Sequence, residues 1–330
     1  DLANSPLESG STGIAHTRWA THGAPTDANA HPHLADDGKL ALIHNGIIEN
    51  FHELKEQLVA SGETFSSDTD SEVAAVLLGI AYRESRDLTQ AMVNVVGRLE
   101  GAFTLLIVHE DAPGVVVGAR RNSPLVIGVG EGENFLGSDV AAFVAYTHKA
   151  LALGQDQIVT ITKASIDVMS FEGEVVHPPE FTIDWDASAA DKGGWSSFMA
   201  KEISEEPEAV ANTLRGRLSP EGEVTIPELD SLDVSLIDRV IFIACGTAAY
   251  AAMLGAYAME KWSGIPVTVE LSHEFRYRDP VVGAGTLVVS VSQSGETMDT
   301  LMTVRYANEL GAQTLAICNT QGATIPRESD

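Results

Sequence analysis

The eight residues His16-Thr17-Arg18-Trp19-Ala20-Thr21-His22-Gly23 place most of the useful side-chain chemistries in one short segment that follows an apolar strand signal. Arg18 offers a fixed fork of N–H donors that matches a carboxylate. Thr21 and His22 offer directional hydrogen bonds, Trp19 a rigid wall, and Gly23 a point where the chain can turn away. This set suits the capture of a small carboxylate-bearing molecule. The same pattern also fits an amphipathic strand running into a turn, with Arg18 solvated and Trp19 buried.

His44-Asn45-Gly46 follows the apolar run from Leu40 to Ile43 and precedes a helical pattern. At such a strand end the Asn45 amide and the Gly46 N–H can face one point, which is how an oxyanion hole is made. Asn-Gly is equally the commonest hairpin-turn signal. With Arg18 for a carboxylate and Asp70 for an α-ammonium, the residues describe a pocket for a free amino acid whose side-chain carbonyl is attacked. His22, His31, His33 and His44 lie close in sequence, and His31-Pro32-His33 is a possible ligand pair. No third ligand stands at a typical spacing, so no metal is expected.

The second half carries two hydroxyl-rich turns at strand ends. Val240 to Ala244 runs into Cys245-Gly246-Thr247-Ala248, and Leu287 to Val291 runs into Ser292-Gln293-Ser294-Gly295-Glu296-Thr297, each before a helix. In open parallel sheets ligands sit outside the carboxyl ends of the strands, where helix N-termini present N–H groups to anions. Thr247, Ser292, Ser294 and Thr297 add hydroxyl donors, while Gly246 and Gly295 let the backbone approach a ligand. Neither turn is a Walker loop or a dinucleotide fingerprint. Ser and Thr here also serve as ordinary helix caps, but the pair of turns favours a phosphate site.

Two kinds of scaffold must position these groups. From Gly13 to about Pro178, strands are expected at Lys39 to His44, Ala102 to His109, Gly114 to Ala119, Leu125 to Val129 and Gln157 to Lys163. Helices are expected at Ile47 to Ala60 and from Asp70. This is an α+β arrangement dominated by strands. Residues around Pro178 to Arg217 change character and read as a linker with helical content. Beyond Ser231, strands (Val240 to Ala244, Pro266 to Leu271, Thr286 to Val291, Thr314 to Cys318) alternate with helices from Thr247 and Glu296 in the doubly wound α/β style. The expected domains are 1–185, a linker at 186–220, and 221–330.

Composition bounds the function. The 44% hydrophobic content of 330 residues supports ordinary buried cores. A formal charge of -27, from 47 acidic against 20 basic residues, opposes nucleic acid and anionic membranes, and no Lys/Arg cluster offsets it. Anionic ligands must then be held by specific groups. The two cysteines, Cys245 and Cys318, argue against a disulfide framework and a cysteine zinc site. A reducing, cytoplasmic setting is expected, and no apolar run suggests a membrane span.

His16 to Gly23, His31-Pro32-His33, His44-Asn45-Gly46 and Thr69-Asp70-Ser71-Glu72 closely resemble the glutaminase domain of class II glutamine amidotransferases, an N-terminal-nucleophile-hydrolase-like fold of stacked antiparallel sheets with helices. Cys245-Gly246-Thr247, Glu274-Phe275-Arg276-Tyr277-Arg278 and Ser292 to Thr297 resemble the sugar isomerase domain of the glucosamine-6-phosphate synthase family, the glutamine:fructose-6-phosphate aminotransferases. The likeness covers nearly the whole chain in order, with Lys192-Gly193-Gly194 between. It implies that glutamine is hydrolysed in the first domain and that its ammonia passes to fructose 6-phosphate, giving glucosamine 6-phosphate. Arg18 would hold the glutamine carboxylate, Asp70 its ammonium, Thr21, His22 and His31 the pocket, and Asn45 with Gly46 the oxyanion. Trp19 would close the ammonia path. Cys245, Gly246, Thr247, Ser292, Gln293, Ser294 and Thr297 would hold the sugar phosphate. No cofactor is implied, and the family likeness implies a homodimer.

The chain departs from that pattern in places. The family nucleophile is an N-terminal cysteine whose α-amine serves as base, whereas this sequence opens at Asp1 and stops at Asp330, before the family's isomerase acid/base glutamate, ring-opening histidine and Schiff-base lysine. The polypeptide as written is therefore expected to be truncated at both ends and inactive. Ala248 stands where serine is common in the family. A phosphoribosyl amidotransferase would share the first domain but needs an acidic pyrophosphate loop where Ser-Gln-Ser-Gly-Glu-Thr stands. A non-catalytic sugar-phosphate sensor is the alternative from another class.

Overall fold

The computed structural model describes residues 10–18, 23–183, 192–219, 221–230, 232–320 and 323–330. The chain divides into two compact units, Asp1–Ala190 and Asp191–Asp330.

In the first unit the order is β1 (His33–Ala35), β2 (Leu40–Ile48), α1 (Phe51–Ala60), α2 (Asp70–Ser85), α3 (Leu88–Val96), β3 (Gly101–His109), β4 (Val116–Arg121), β5 (Val126–Val129), β6 (Asn134–Gly137), β7 (Lys149–Ala152), β8 (Gln157–Ile161), β9 (Ile166–Ser170) and β10 (Glu180–Thr182). A six-stranded antiparallel sheet runs β1-β2-β3-β4-β8-β9, and a four-stranded antiparallel sheet runs β10-β7-β5-β6. Strand side chains alternate between faces, and the cores follow. Leu40, Leu42, Phe103, Leu105 and Ile107 pack with α1, α2 and α3, while Ile43, Leu106, Val159 and Ile161 pack with Leu125 and Ile127 toward the second sheet. The six-stranded sheet is thus the middle layer between helices and a second sheet.

One expectation is corrected here. His44-Asn45-Gly46 is neither a strand end nor a hairpin turn, because β2 continues through it in register with β3, pairing Asn45 with Thr104 and Gly46 with Phe103. The helix expected from Ile47 begins instead at Phe51. The cause is close backbone approach: Gly46 holds φ at 124°, and a Cβ built there would lie 2.1 Å from the Ala102 carbonyl oxygen. Glycine inside a strand marks such an approach.

The second unit runs α4 (Phe198–Leu214), β11 (Arg239–Ala244), α5 (Gly246–Ser263), β12 (Val267–Leu271), α6 (Ser272–Phe275), β13 (Thr286–Ser292), α7 (Met298–Glu309), β14 (Gln313–Cys318) and α8 (Thr324–Glu328). Its sheet is wholly parallel, in the order β12-β11-β13-β14. Val240, Phe242, Leu287 and Val289 pack with α5, whereas Ile241, Ile243 and Val288 pack with α7 and Ile325 of α8. Helices therefore cover both faces of a doubly wound sheet. From β11 the chain first adds β12 on one side and then β13 on the other, which makes the β11/β13 boundary the topological switch point. No helix among the described residues is long and apolar enough to cross a membrane.

Candidate functional site

A cavity of about 230 Å³ in the first unit is lined by His16, Thr17, Arg18, His31, His44, Asn45, Gly46, Thr69, Asp70 and Ser71. Arg18, His31, Asn45, Gly46 and Asp70, named from sequence, meet there. Trp19, Thr21 and His22 lie outside the described residues.

Four chain segments build this cavity, at residues 16–18, 31, 44–46 and 69–71, the last of them the N-terminus of α2. Thr69 caps that helix, its hydroxyl accepting the Glu72 N–H at 3.2 Å. Glu72 in turn accepts from the Ser66 N–H and hydroxyl, both at 2.8 Å, and from the Ser67 N–H and hydroxyl at 2.7 and 2.6 Å. Burial alone would raise the Glu72 pKa, but these four donors outweigh it and hold the carboxyl below the usual range. With its first turn fixed, α2 presents Asp70, whose Oδ2 accepts the Ile48 N–H at 2.8 Å, and Ser71, whose hydroxyl lies 2.8 Å from His44 Nδ1 and 2.9 Å from His31 Nε2.

His31 is held neutral. Burial, then the neighbouring His16, His33, His44 and Arg18, lower its pKa to about 3. The His33 pKa is also lowered, chiefly by burial, and its Nε2 lies 2.9 Å from the Thr69 hydroxyl. The His16 ring lies against His31 with centroids 4.2 Å apart and planes tilted by 34°, and its Nε2 donates to Asn45 Oδ1 at 2.8 Å. Because Oδ1 is engaged by His16, the Nδ2 hydrogens are the part of the Asn45 amide that can serve a ligand oxygen.

Arg18 donates from Nη1 to the Ala24 carbonyl and from Nη2 to the Gly23 carbonyl, each at 3.0 Å. Asn29, 2% exposed, ties the same loop down by donating to the Ala24 carbonyl at 3.0 Å and accepting the Asp68 N–H at 3.0 Å. Sequence reasoning gave Ser71, Thr69 and Asn29 no place in the site, and did not foresee the contact of His44 Nδ1 with the Ser71 hydroxyl. The signal for the first two was the capping pattern Thr69-x-x-Glu72, which places a hydroxyl-rich first turn at the end of an otherwise apolar helix.

In the second unit, Cys245-Gly246-Thr247 and Ser292 to Thr297 leave the ends of adjacent parallel strands, with Ala244 opposite Val291. They therefore share the switch point. Ser292 Oγ accepts the Gly295 N–H at 3.0 Å and lies 3.3 Å from Thr297 Oγ1, while Ser294 Oγ accepts the Glu296 N–H at 3.2 Å. A hydroxyl that accepts an N–H keeps its own hydrogen for a ligand, so capping the turn and binding an anion are compatible. Gly295, at φ 65°, packs so tightly that a Cβ would lie 2.4 Å from Ala323 Cβ. Thr247 is exposed at the first turn of α5.

The model of the glutamine amidotransferase domain matches residues 3–174, and that of the SIS domain matches residues 235–330. The chain belongs to the glutamine amidotransferase domain family. The first unit of this amidotransferase chain has the N-terminal-nucleophile-hydrolase-like fold, and the second carries the SIS fold. The isomerizing glutamine–fructose-6-phosphate aminotransferase of Leifsonia xyli subsp. xyli is 66% identical over all of this chain and 54% of its own length. The protein of that name from Corynebacterium diphtheriae is 58% identical over all of this chain and 53% of its own. The chain thus spans about half the length of these curated relatives. Among solved structures, the C-terminal domain of the Francisella tularensis glucosamine-fructose-6-phosphate aminotransferase is 40% identical over 42% of this chain and 39% of that one, with a TM-score of 0.40.

Proposed function

We propose that the chain is the glutaminase domain and first sugar isomerase subdomain of a glutamine:fructose-6-phosphate aminotransferase. The observation that carries this reading is the pairing, in one chain, of an amidotransferase pocket with a hydroxyl-lined switch point, in a sequence 66% identical to a relative of that name. In the whole protein, glutamine would release ammonia in the first unit for use on fructose 6-phosphate in the second, yielding glucosamine 6-phosphate. Arg18 holds the glutamine carboxylate through its guanidinium. Asp70 takes the ammonium, Thr21, His22 and His31 shape the pocket, and the Asn45 amide with the Gly46 N–H meets the oxyanion. Trp19 guards the ammonia path. Cys245, Gly246, Thr247, Ser292, Gln293, Ser294 and Thr297 hold the sugar phosphate.

The proposed domains are a glutaminase over residues 1–185, a linker over 186–220 and a sugar isomerase subdomain from 221. The proposed setting is a cytoplasmic homodimer that engages neither nucleic acid nor membranes, in keeping with the charge of -27.

Calorimetry with the 330-residue chain tests the assignment. Arg18→Ala is expected to remove glutamine binding and spare fructose 6-phosphate binding, and Ser292→Ala to do the reverse. Loss of both ligands in either variant, or of neither in both, would sink the reading.

A further inference from the structure

We propose that the second unit carries a binding site for a soft divalent cation such as Zn²⁺, formed by Cys245, His273 and Asp299. These residues come from three separate segments. Cys245 follows β11 as the N-cap of α5, His273 stands in α6, and Asp299 stands in the first turn of α7. The fold brings one ligand atom of each within 4.8 Å of the others, and Cys245 Sγ lies 3.9 Å from His273 Nδ1.

That spacing is near what a metal requires. A tetrahedral zinc with bonds of about 2.0 to 2.3 Å spaces its ligand atoms roughly 3.3 to 3.8 Å apart, so side-chain movements of up to about 1.5 Å close the set. Cys245 and Asp299 are half-buried and His273 is exposed, so an ion can enter from solvent. A thiol with an imidazole selects zinc-like ions over magnesium or calcium. Three protein ligands leave a fourth position for water or a ligand oxygen. As the Sγ–metal bond forms, the thiol proton passes to solvent.

Sequence spacing hides this site, because the two cysteines stand 73 positions apart and neither has a histidine at finger-like spacing (318 less 245). Two groups already touch these ligands: Thr300 Oγ1 donates to Cys245 Sγ at 3.9 Å, and Arg276 Nη2 lies 3.9 Å from Asp299 Oδ1. Arg276 must yield that oxygen or leave the second one to the metal. Cys245 also belongs to the turns proposed to hold the sugar phosphate, but metal binding to the ligand-free chain is read separately from fructose 6-phosphate binding.

Cobalt(II) titration of the reduced, metal-free 330-residue chain tests it, since a thiolate ligand gives a near-ultraviolet charge-transfer band that histidine and carboxylate sites lack. One cobalt per chain with that band is expected. Cys245→Ser should abolish the band, Cys318→Ser should leave it, and His273→Ala and Asp299→Asn should each weaken binding by more than about tenfold, with circular dichroism confirming the fold. A second measurement leaves the thiol intact: Zn²⁺ should slow iodoacetamide labelling of Cys245, mapped by mass spectrometry, in the parent chain and not in His273→Ala. Absence of the band in the parent chain, its survival in Cys245→Ser, or labelling protection equal with and without His273 would overturn the proposal.

Discussion

Asp70 Oδ2 accepts the backbone N–H of Ile48 at 2.8 Å, so the first residue of α2 is bonded to the last residue of β2. The carboxylate is therefore structural before it is functional. Asp70→Ala is expected to leave a buried donor without an acceptor and to cost about 1 to 3 kcal/mol in chemical denaturation. Asp70→Asn keeps an acceptor oxygen and should stay close to the parent in stability while losing at least tenfold in glutamine affinity by calorimetry. Equal glutamine binding in Asp70→Asn would remove the ammonium role.

The histidine cluster sets a pH dependence of known sign. His31 is neutral in the folded chain down to about pH 3, whereas the unfolded chain binds its proton near the ordinary value of about 6.5. The unfolded state therefore holds more protons between these values, and stability, complete above about pH 6.5, falls as pH drops toward 3. The slope is at most about 1.4 kcal/mol per pH unit for one such group, reduced by the water that reaches this half-buried ring. His33 acts in the same direction. Denaturation midpoints at stepped pH should show a shallower decline in His31→Gln than in the parent.

Gly246 and Gly295 separate conformational cost from steric cost. Both hold positive φ, 57° and 65°, but a Cβ at Gly246 meets nothing within 4 Å, whereas one at Gly295 meets Ala323 Cβ at 2.4 Å and Cys318 Sγ at 2.6 Å. Gly246→Ala should cost about 1 to 2 kcal/mol, the price of a left-handed backbone. Gly295→Ala should cost more and also weaken fructose 6-phosphate binding, because the clash displaces the turn that holds Ser292 and Ser294. Thermal melts paired with calorimetry read both effects.

The second unit was the more legible half. Buried parallel strands read as continuous apolar runs, and β11 and β13 begin and end within a residue or so of the runs Val240 to Ala244 and Thr286 to Val291. In the first unit, β1, β6, β7 and β10 have only three or four residues each and owe their existence to pairing with neighbours, which no local pattern encodes. The site divides the same way. Arg18, Asn45 and Asp70 declare themselves by residue type. Ser71 looks like any polar residue at a helix start until α2 is set against β2 and its hydroxyl falls between two histidines.

Antiparallel β2 also gives the pocket a parity. Its even positions Leu40, Leu42 and Ile48 serve the helix layer, and His44 joins them to reach Ser71, while odd-numbered Ile43 serves the other layer and Asn45 reaches His16. A single-residue insertion or deletion inside the strand exchanges the two faces, so the imidazole and the amide would trade places even with every side chain retained. Length changes ahead of His44 should therefore be survivable for the pocket only in steps of two.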